Sequence, residues 1–170
     1  MIQFSESTDK GTVFSTVKEF ISIKGFSIAN EDASRPWGGF LVIDETQAPQ
    51  FIATFFPQFT LKDFEGFDKL SPKILLVAPH QRLSWQYHHR RSEIWTVIGG
   101  NAGIVRSETD EQKPQEKLSL GTTVSLKKGE RHRLVGVDEW GVIAEIWQHT
   151  DVSNPSDEDD IVRVQDDFGR

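Results

Sequence analysis

From Lys73 onward, the sequence breaks into short apolar runs that are separated by Gly, Pro, Asp or Asn residues. Runs of this kind, rich in β-branched and aromatic residues, are typical of β-strands bounded by turns. About eight such strands after a helical N-terminal segment indicate a mainly β fold, either a double-sheet jelly roll or a small barrel. The predicted strands are Ile74–Val77, Leu83–His88, Glu93–Ile98, Ala102–Arg106, Glu116–Leu120, Thr122–Leu126, His132–Val135 and Val142–Trp147.

The N-terminal part of the chain predicts one amphipathic helix over residues 9–24. An aspartate can cap its first turn, apolar residues recur at three-to-four spacing, and Gly25 is a typical C-terminal stop. At this length we expect a single domain over residues 1–170. It would consist of a helical extension over 1–34 and the jelly roll over 35–170.

Shorter elements are expected around a turn at 35–39, with strands at 26–29 and 40–43. Residues 45–72 are apolar in places but show no readable periodicity, and the acidic residues 150–161 predict a loop.

Net charge and cysteine content exclude several classes of protein. The net charge of −7 argues against nucleic acid or an anionic membrane as a partner, because both are held by clustered positive charge. The absence of cysteine excludes disulfides and thiolate metal sites. No apolar stretch is as long as a membrane span, and the first residues show no signal peptide, so a cytoplasmic location is expected.

Basic residues nevertheless crowd two segments of this acidic chain. A local excess of positive charge favours an anionic small substrate, while solvated charges at strand edges are the alternative for each residue. The residues are Arg82, Arg90, Arg91, Lys127, Lys128, Arg131 and Arg133.

The most specific chemical feature is a set of metal-ligand residues in the same two segments. Gln86 and His88 share one face of a strand, because side chains alternate along it. Glu93 opens the next predicted strand, and His132 follows a turn at Gly129. Two imidazoles, a carboxylate and an amide oxygen that converge inside a barrel make a divalent-metal site of nitrogen and oxygen type. The sequence therefore predicts a metal-dependent enzyme or binder of small molecules.

This pattern resembles the two cupin motifs, with Gln86 in the place of the first His and Lys127 in the place of the Pro before Gly129. It is further similar to the cupin domain of type II phosphomannose isomerases. In that family the cupin domain is usually fused to a guanylyltransferase domain, which we do not expect in these residues. The resemblance spans about residues 35–170. Its motifs are Arg35-Pro36-Trp37-Gly38, Leu83-Ser84, Gln86, His88-His89, Arg91, Glu93, Trp95, Gly129 to Leu134, Glu158 to Arg163 and Asp167 to Arg170.

The resemblance is incomplete at three places. Ile94 stands where the family has a His, His80 stands where it has a Gly, and a few extra residues lie between Gln148 and Glu158. The four ligand positions are unaffected by these departures.

The resemblance implies interconversion of an aldose phosphate and a ketose phosphate through an enediolate, with mannose 6-phosphate and fructose 6-phosphate as the expected pair. The implied cofactor is a divalent metal on the four ligands, with zinc first and manganese, cobalt or iron as alternatives. Such a cation would stabilise the negative charge that develops on the sugar oxygens. A phosphorylated sugar is the implied partner. The resemblance leaves the oligomeric state open, with a homodimer as one alternative because cupins are often dimers.

Roles for other residues also follow from the resemblance. Lys73 matches a family Lys and is the first candidate for the base, while Glu145 is a second candidate whose simpler interpretation is an ion pair. Arg91 and Arg133 are the predicted phosphate contacts, because a guanidinium binds phosphate oxygens in bidentate fashion. Strand alternation also allows Arg133 to point away from the site. Four tryptophans are candidates for sugar stacking or for the core, namely Trp37, Trp85, Trp95 and Trp147.

Two other functions remain open at this point. The first is a non-catalytic cupin that binds a sugar or nucleotide-sugar, which the missing His at position 94 favours slightly. The second is an Fe(II) dioxygenase that uses two His and one carboxylate, although a Gln ligand would crowd its oxygen site.

Overall fold

A computed structural model describes residues 2–170 and places the strands in two antiparallel sheets. Strands hold 36% of the residues against 17% in helices, which confirms the mainly β class with an N-terminal helix. The helices are α1 (Lys10–Ile23) and α2 (Ala48–Phe55), with short 3-10 turns at Glu45–Gln47 and Leu61–Phe64. The strands are β1 (Ile28–Asp32), β2 (Gly38–Ile43), β3 (Lys73–Val77), β4 (Trp85–Tyr87), β5 (Arg91–Gly99), β6 (Ala102–Ser107), β7 (Glu116–Leu118), β8 (Thr123–Leu126), β9 (Arg131–Val135), β10 (Gly141–His149) and β11 (Val162–Gln165).

The larger sheet has six strands in the order β1-β2-β3-β10-β5-β8, and the smaller has five in the order β11-β4-β9-β6-β7. Neighbours in the sheets are therefore mostly distant in the chain, as in a jelly roll. Strands β5 and β10, which carry much of the site described below, lie side by side in the larger sheet.

Both faces of the central strands of the larger sheet are buried. On β3, Ile74 and Leu76 belong to one apolar cluster, while Leu75 and Val77 belong to another. The second cluster also contains Ile104 and other residues of the smaller sheet, so it fills the space between the sheets. Because side chains alternate across a strand, a strand covered on both sides reads as a continuous apolar run.

Helix α1 covers the outer face of the larger sheet. Asp9 caps it by accepting a hydrogen bond from the main-chain N–H of Thr12, at 3.0 Å. Its apolar stripe is buried in the outer cluster, where Val17 and Ile21 are fully inaccessible. Gly25 follows in the left-handed conformation, with φ of 85°. The helix predicted at 9–24 is thus confirmed, and it supplies core residues to the sheet.

Residues 45–72 complete the same outer layer. Helix α2 brings Phe51 and Phe55 together, with ring centroids 4.9 Å apart, and Phe26 stacks on Phe55 at 5.7 Å. This helix was not predicted, because its eight residues are too few to show a clear helical periodicity. Within residues 2–170, neither helix has the length and apolar character needed to cross a membrane.

Candidate metal centre and its cavity

Three of the four predicted metal ligands converge between the two sheets. His88 follows β4, His132 lies on the adjacent β9, and Glu93 lies on β5 of the opposite sheet. The ligand atoms of these three buried residues all lie within 4.8 Å of one another. Glu93 Oε1 is 3.2 Å from His88 Nε2, and Glu93 Oε2 is 3.3 Å from His132 Nε2.

The outer nitrogens of both imidazoles are hydrogen-bonded to main-chain carbonyls. His88 Nδ1 donates to the carbonyl of Asp160 at 2.6 Å, and His132 Nδ1 donates to that of Glu130 at 2.9 Å. A carbonyl can only accept, so the proton of each neutral ring resides on Nδ1 and the Nε2 lone pair faces the site. Within residues 2–170, the buried His132 Nε2 has no hydrogen-bond partner. The two Nε2 lone pairs and the Glu93 carboxylate face one another, and this arrangement fits a divalent cation.

Gln86 lies directly beside this group. Its strand pairs with β9 so that Gln86 is opposite His132. The amide Nε2 is 3.5 Å from His88 Nε2, and the Oε1 accepts a hydrogen bond from Ser84 Oγ at 2.5 Å. A half-turn of the amide would exchange the two atoms and aim Oε1 at the site, and the Ser84 hydroxyl can accept as well as donate. The structure therefore brings all four predicted ligands together.

Arg91 is buried against the ligands. Its Nε donates to Glu93 Oε1 at 2.7 Å, and its Nη2 donates to His88 Nε2 at 3.1 Å. The guanidinium carbon also lies 3.6 Å from the ring centroid of Trp147. Because a metal would use the same His88 lone pair, metal binding requires Arg91 to give up that one contact.

The ligands open into a cavity of about 310 Å³ between the sheets. Its wall includes Trp37, Trp95 and Trp147, whereas Trp85 points elsewhere and donates its indole N–H to the carbonyl of Asp110. Five cationic side chains and four carboxylates line it, namely Arg35, Lys73, Arg91, Arg163, Arg170, Glu93, Glu145, Glu158 and Asp159.

Two of these carboxyl groups have opposite titration behaviour. Burial by itself raises the pKa of Glu93, but the two histidines and Arg91 outweigh it and hold the pKa well below its ordinary value. Burial, reinforced by the charge of Glu93, raises the pKa of Glu145 to about 8. Glu145 Oε1 accepts a hydrogen bond from Trp95 Nε1 at 2.9 Å, and the same indole nitrogen is 3.2 Å from Glu93 Oε2. Glu145 is consequently protonated at neutral pH, while Glu93 is ionised.

Lys73 occupies the cavity wall next to Glu145. The two residues are opposite each other in the pairing of β3 with β10. The Lys73 ammonium is buried, forms an ion pair with Glu158, and lies 3.6 Å from the ring centroid of Trp147. Its position is therefore compatible with contact to a bound ligand.

Arg133 lies outside the cavity, in contrast to its predicted role as a phosphate contact. It follows His132 on β9, and alternation places it on the opposite face of that strand. There it is fully buried, with Nε donating to the carbonyl of Leu83 at 2.9 Å and Nη2 lying 3.8 Å from Asp167. Of the seven basic residues grouped near the ligands in the sequence, only Arg91 lines the cavity.

Three other arginines also line the cavity and are less buried than Arg91: Arg35, Arg163 and Arg170. Arg163 is directly opposite Gln86 in the pairing of β11 with β4, so the two side chains share one face. Arg35 and Arg170 have ion-pair partners, but within residues 2–170 Arg163 has none within 4.0 Å. Burial and the charge of Arg170 lower the pKa of Arg163. Arg163 and Arg170 end the two C-terminal motifs of the resemblance, Glu158 to Arg163 and Asp167 to Arg170, and no role was predicted for them from the sequence.

A two-sheet β-roll with a His–Glu–His group and an adjacent Gln between its sheets defines the chain as a cupin, which confirms the resemblance seen in the sequence. A family model described as mannose-6-phosphate isomerase C-terminal matches residues 51–166. The chain belongs to this family.

Individual relatives are more distant. The xanthan biosynthesis protein XanB of Xanthomonas campestris pv. campestris is 29% identical over 143 residues, which cover 80% of this chain and 23% of the relative. The chain thus spans about a quarter of the length of the curated relatives it matches. A crystal structure of the capsular polysaccharide assembling protein CapF from Staphylococcus aureus superimposes with a TM-score of 0.56 at 13% identity, covering 81% of this chain and 34% of CapF. Recombinant oxalate oxidase in complex with glycolate gives a TM-score of 0.50 at 20% identity, covering 78% and 58%. At these identities the two structures show the fold alone.

Proposed function

We propose that this cupin is a metal-dependent isomerase that interconverts an aldose phosphate and a ketose phosphate, with mannose 6-phosphate and fructose 6-phosphate as the first pair to test. The observation that carries the proposal is the joint presence, in one cavity, of the ligand group around Glu93 and a set of arginines. Membership of the mannose-6-phosphate isomerase C-terminal family and similarity to a xanthan biosynthesis protein support a sugar-related substrate.

The charges of the cavity favour a phosphorylated ligand. In the metal-free cavity, where Glu145 is protonated, the lining carries five positive charges against three negative ones, in a protein whose net charge is −7. Arg163 has no ion-pair partner within residues 2–170 and its Nε is buried without a hydrogen bond. A phosphate oxygen would satisfy this guanidinium, and Arg35 and Arg170 are close enough in the lining to share the charge. This arginine set replaces Arg133 in the proposal.

Isomerisation requires a proton to move between two adjacent carbons. A divalent cation on Gln86, His88, Glu93 and His132 would supply Lewis-acid stabilisation of the developing negative charge. Glu145 and Lys73 are the chain's own candidates for carrying the proton, because both are buried in the wall beside the ligands. Trp37, Trp95 and Trp147 supply apolar parts of the same wall.

Turnover by the purified protein tests the proposal. Protein loaded with zinc, manganese or cobalt should convert mannose 6-phosphate to fructose 6-phosphate, and His88→Ala or His132→Ala should abolish both metal binding and turnover. His89→Ala is the matched control, since this neighbouring His is exposed and packs against Tyr87 outside the site. Absence of turnover with every hexose and heptose phosphate, despite bound metal, would remove the isomerase claim.

The phosphate contact has its own test. Arg163→Met should weaken binding of phosphorylated sugars and of inorganic phosphate by about 10- to 100-fold, the effect of about 1.5–3 kcal/mol for a hydrogen bond to a charged group. Arg82→Met removes a guanidinium that lies outside the cavity and should leave this affinity unchanged. Equal affinities in all three proteins would place the phosphate elsewhere.

The two alternatives make different predictions. A non-catalytic cupin would bind a sugar or nucleotide-sugar without turnover. The replacement of the family's His by Ile94 does not favour this alternative, because Ile94 packs in the outer apolar cluster, away from the ligand face of β5. A dioxygenase would consume oxygen when loaded with iron, and its ligand set of His88, His132 and Glu93 is present.

A further inference from the structure

Residues 154–161, which we call the closing segment, form a loop that lies against the ligand turn at 88–91. Asp160 anchors this loop, and its carboxylate is buried. It accepts hydrogen bonds from the main-chain N–H groups of His89 and Arg90, both at 3.0 Å, and from Ser156 Oγ at 2.6 Å. One side chain of the loop thereby fixes the backbone that follows a metal-ligand residue.

Two arginines of the ligand turn hold the other end of the closing segment. Arg90 Nη1 donates to Asn154 Oδ1 at 2.6 Å and to the carbonyl of Pro155 at 2.9 Å. Arg91 Nη1 donates to Ser156 Oγ at 2.9 Å and to the carbonyl of Asp157 at 3.0 Å. Asn154 and Pro155 lie between Gln148 and Glu158, the stretch in which the chain departs from the resemblance.

The loop in turn orients a metal ligand. The carbonyl of Asp160 is the acceptor for His88 Nδ1, and this bond leaves the Nε2 lone pair directed into the site. The position of that carbonyl depends on the Asp160 carboxylate, because the carboxylate ties the same residue to the turn. Displacement of the loop would free the ring to rotate and to exchange tautomers.

We propose that the closing segment is an integral part of the metal centre, with Asp160 as a positioning residue, so that metal binding and closure of the loop stabilise each other. This inference rests on the metal site of the proposed function and does not depend on isomerase activity. Coupling between two events is reciprocal: if closure tightens metal binding, metal must stabilise the closed loop by the same factor. The expected size is about 10- to 100-fold in metal affinity, as for other groups that orient a ligand imidazole.

Zinc affinity is the first measurement, made by competition with a chromogenic chelator. Asp160→Ala should lower it by about 10- to 100-fold, and Asp160→Asn should have a smaller effect, because the amide oxygen can still accept a main-chain N–H. Asp68→Ala is the control, since this exposed aspartate lies outside both the closing segment and the ligand turn. Unchanged zinc affinity in the Asp160 variants would overturn the proposal, even if they unfold at a lower temperature.

Hydrogen exchange of the wild-type protein gives a second measurement that needs no variant. Zinc should slow amide exchange in peptides that cover 154–161 by at least about tenfold, while exchange in α2 should not change. Bound zinc that leaves exchange of the closing segment unaltered would refute the coupling, and would do so even if Asp160→Ala failed to fold. A protein that lacks isomerase activity but shows the zinc-dependent protection would retain this inference and lose only the proposed reaction.

Discussion

The buried carboxyl of Glu145 makes the stability of the metal-free protein depend on pH in a way that can be calculated. Its pKa is raised from 4.5 to about 8 by burial and by the charge of Glu93. Protonated Glu145 therefore contributes stability that is fully present below pH 4.5 and is lost as the pH rises through about 8. At about 1.4 kcal/mol per pH unit, the loss amounts to about 5 kcal/mol, a large part of the stability of an ordinary domain.

Glu145→Gln keeps a neutral side chain of the same shape and removes this titration. We expect the wild-type free energy of unfolding to fall by several kcal/mol more than that of Glu145→Gln between pH 5 and pH 9. Urea titrations in the presence of a chelator measure it, and Glu65→Gln, a change at an exposed carboxylate, is the control. If wild type and Glu145→Gln show parallel stability curves from pH 5 to pH 9, Glu145 is ionised in the folded protein and the reasoning fails.

Three further predictions concern stability. Burial lowers the pKa of His149 to about 4, so its neutral form contributes about 3 kcal/mol of stability that is lost as the pH falls from 6.5 towards 4. In His149→Gln, which can still bond Ser71, the urea midpoint should therefore depend less on pH over that range. An unchanged pH dependence of the midpoint would contradict this. Phe51→Ala should cost about 3–5 kcal/mol in urea unfolding, because Phe51 is fully buried among other rings; a cost below about 1 kcal/mol would show that this cluster is not well packed. Arg133→Met should lower the free energy of unfolding by about 1–3 kcal/mol, because it leaves the Leu83 carbonyl unpaired. Phosphate affinity, measured by calorimetry, should not change. A loss of phosphate affinity would restore the phosphate-binding role that was predicted from the sequence.

Much of the fold and the ligand set could be predicted because they depend on local patterns. Alternation along β4 places Gln86 and His88 on one face, and three-to-four spacing with an aspartate cap defines α1. Helix α2 was not predicted because eight residues are too few to show a clear periodicity, and strand β11 was not predicted because its partly exposed residues form no apolar run. Alternation could also have excluded Arg133 from the cavity once His132 was taken to face inward.

The sequence by itself determined which residue types could bind a metal and which strands would carry them. Only the tertiary structure decided what surrounds them. Asp160 meets His88 across 72 residues of chain, and Arg163 meets Gln86 through the register of β11 on β4. Likewise, the protonation of Glu145 depends on burial and on the nearby charge of Glu93, from a strand about fifty residues earlier. Such contacts depend on sheet register and packing, which no local pattern of residues encodes.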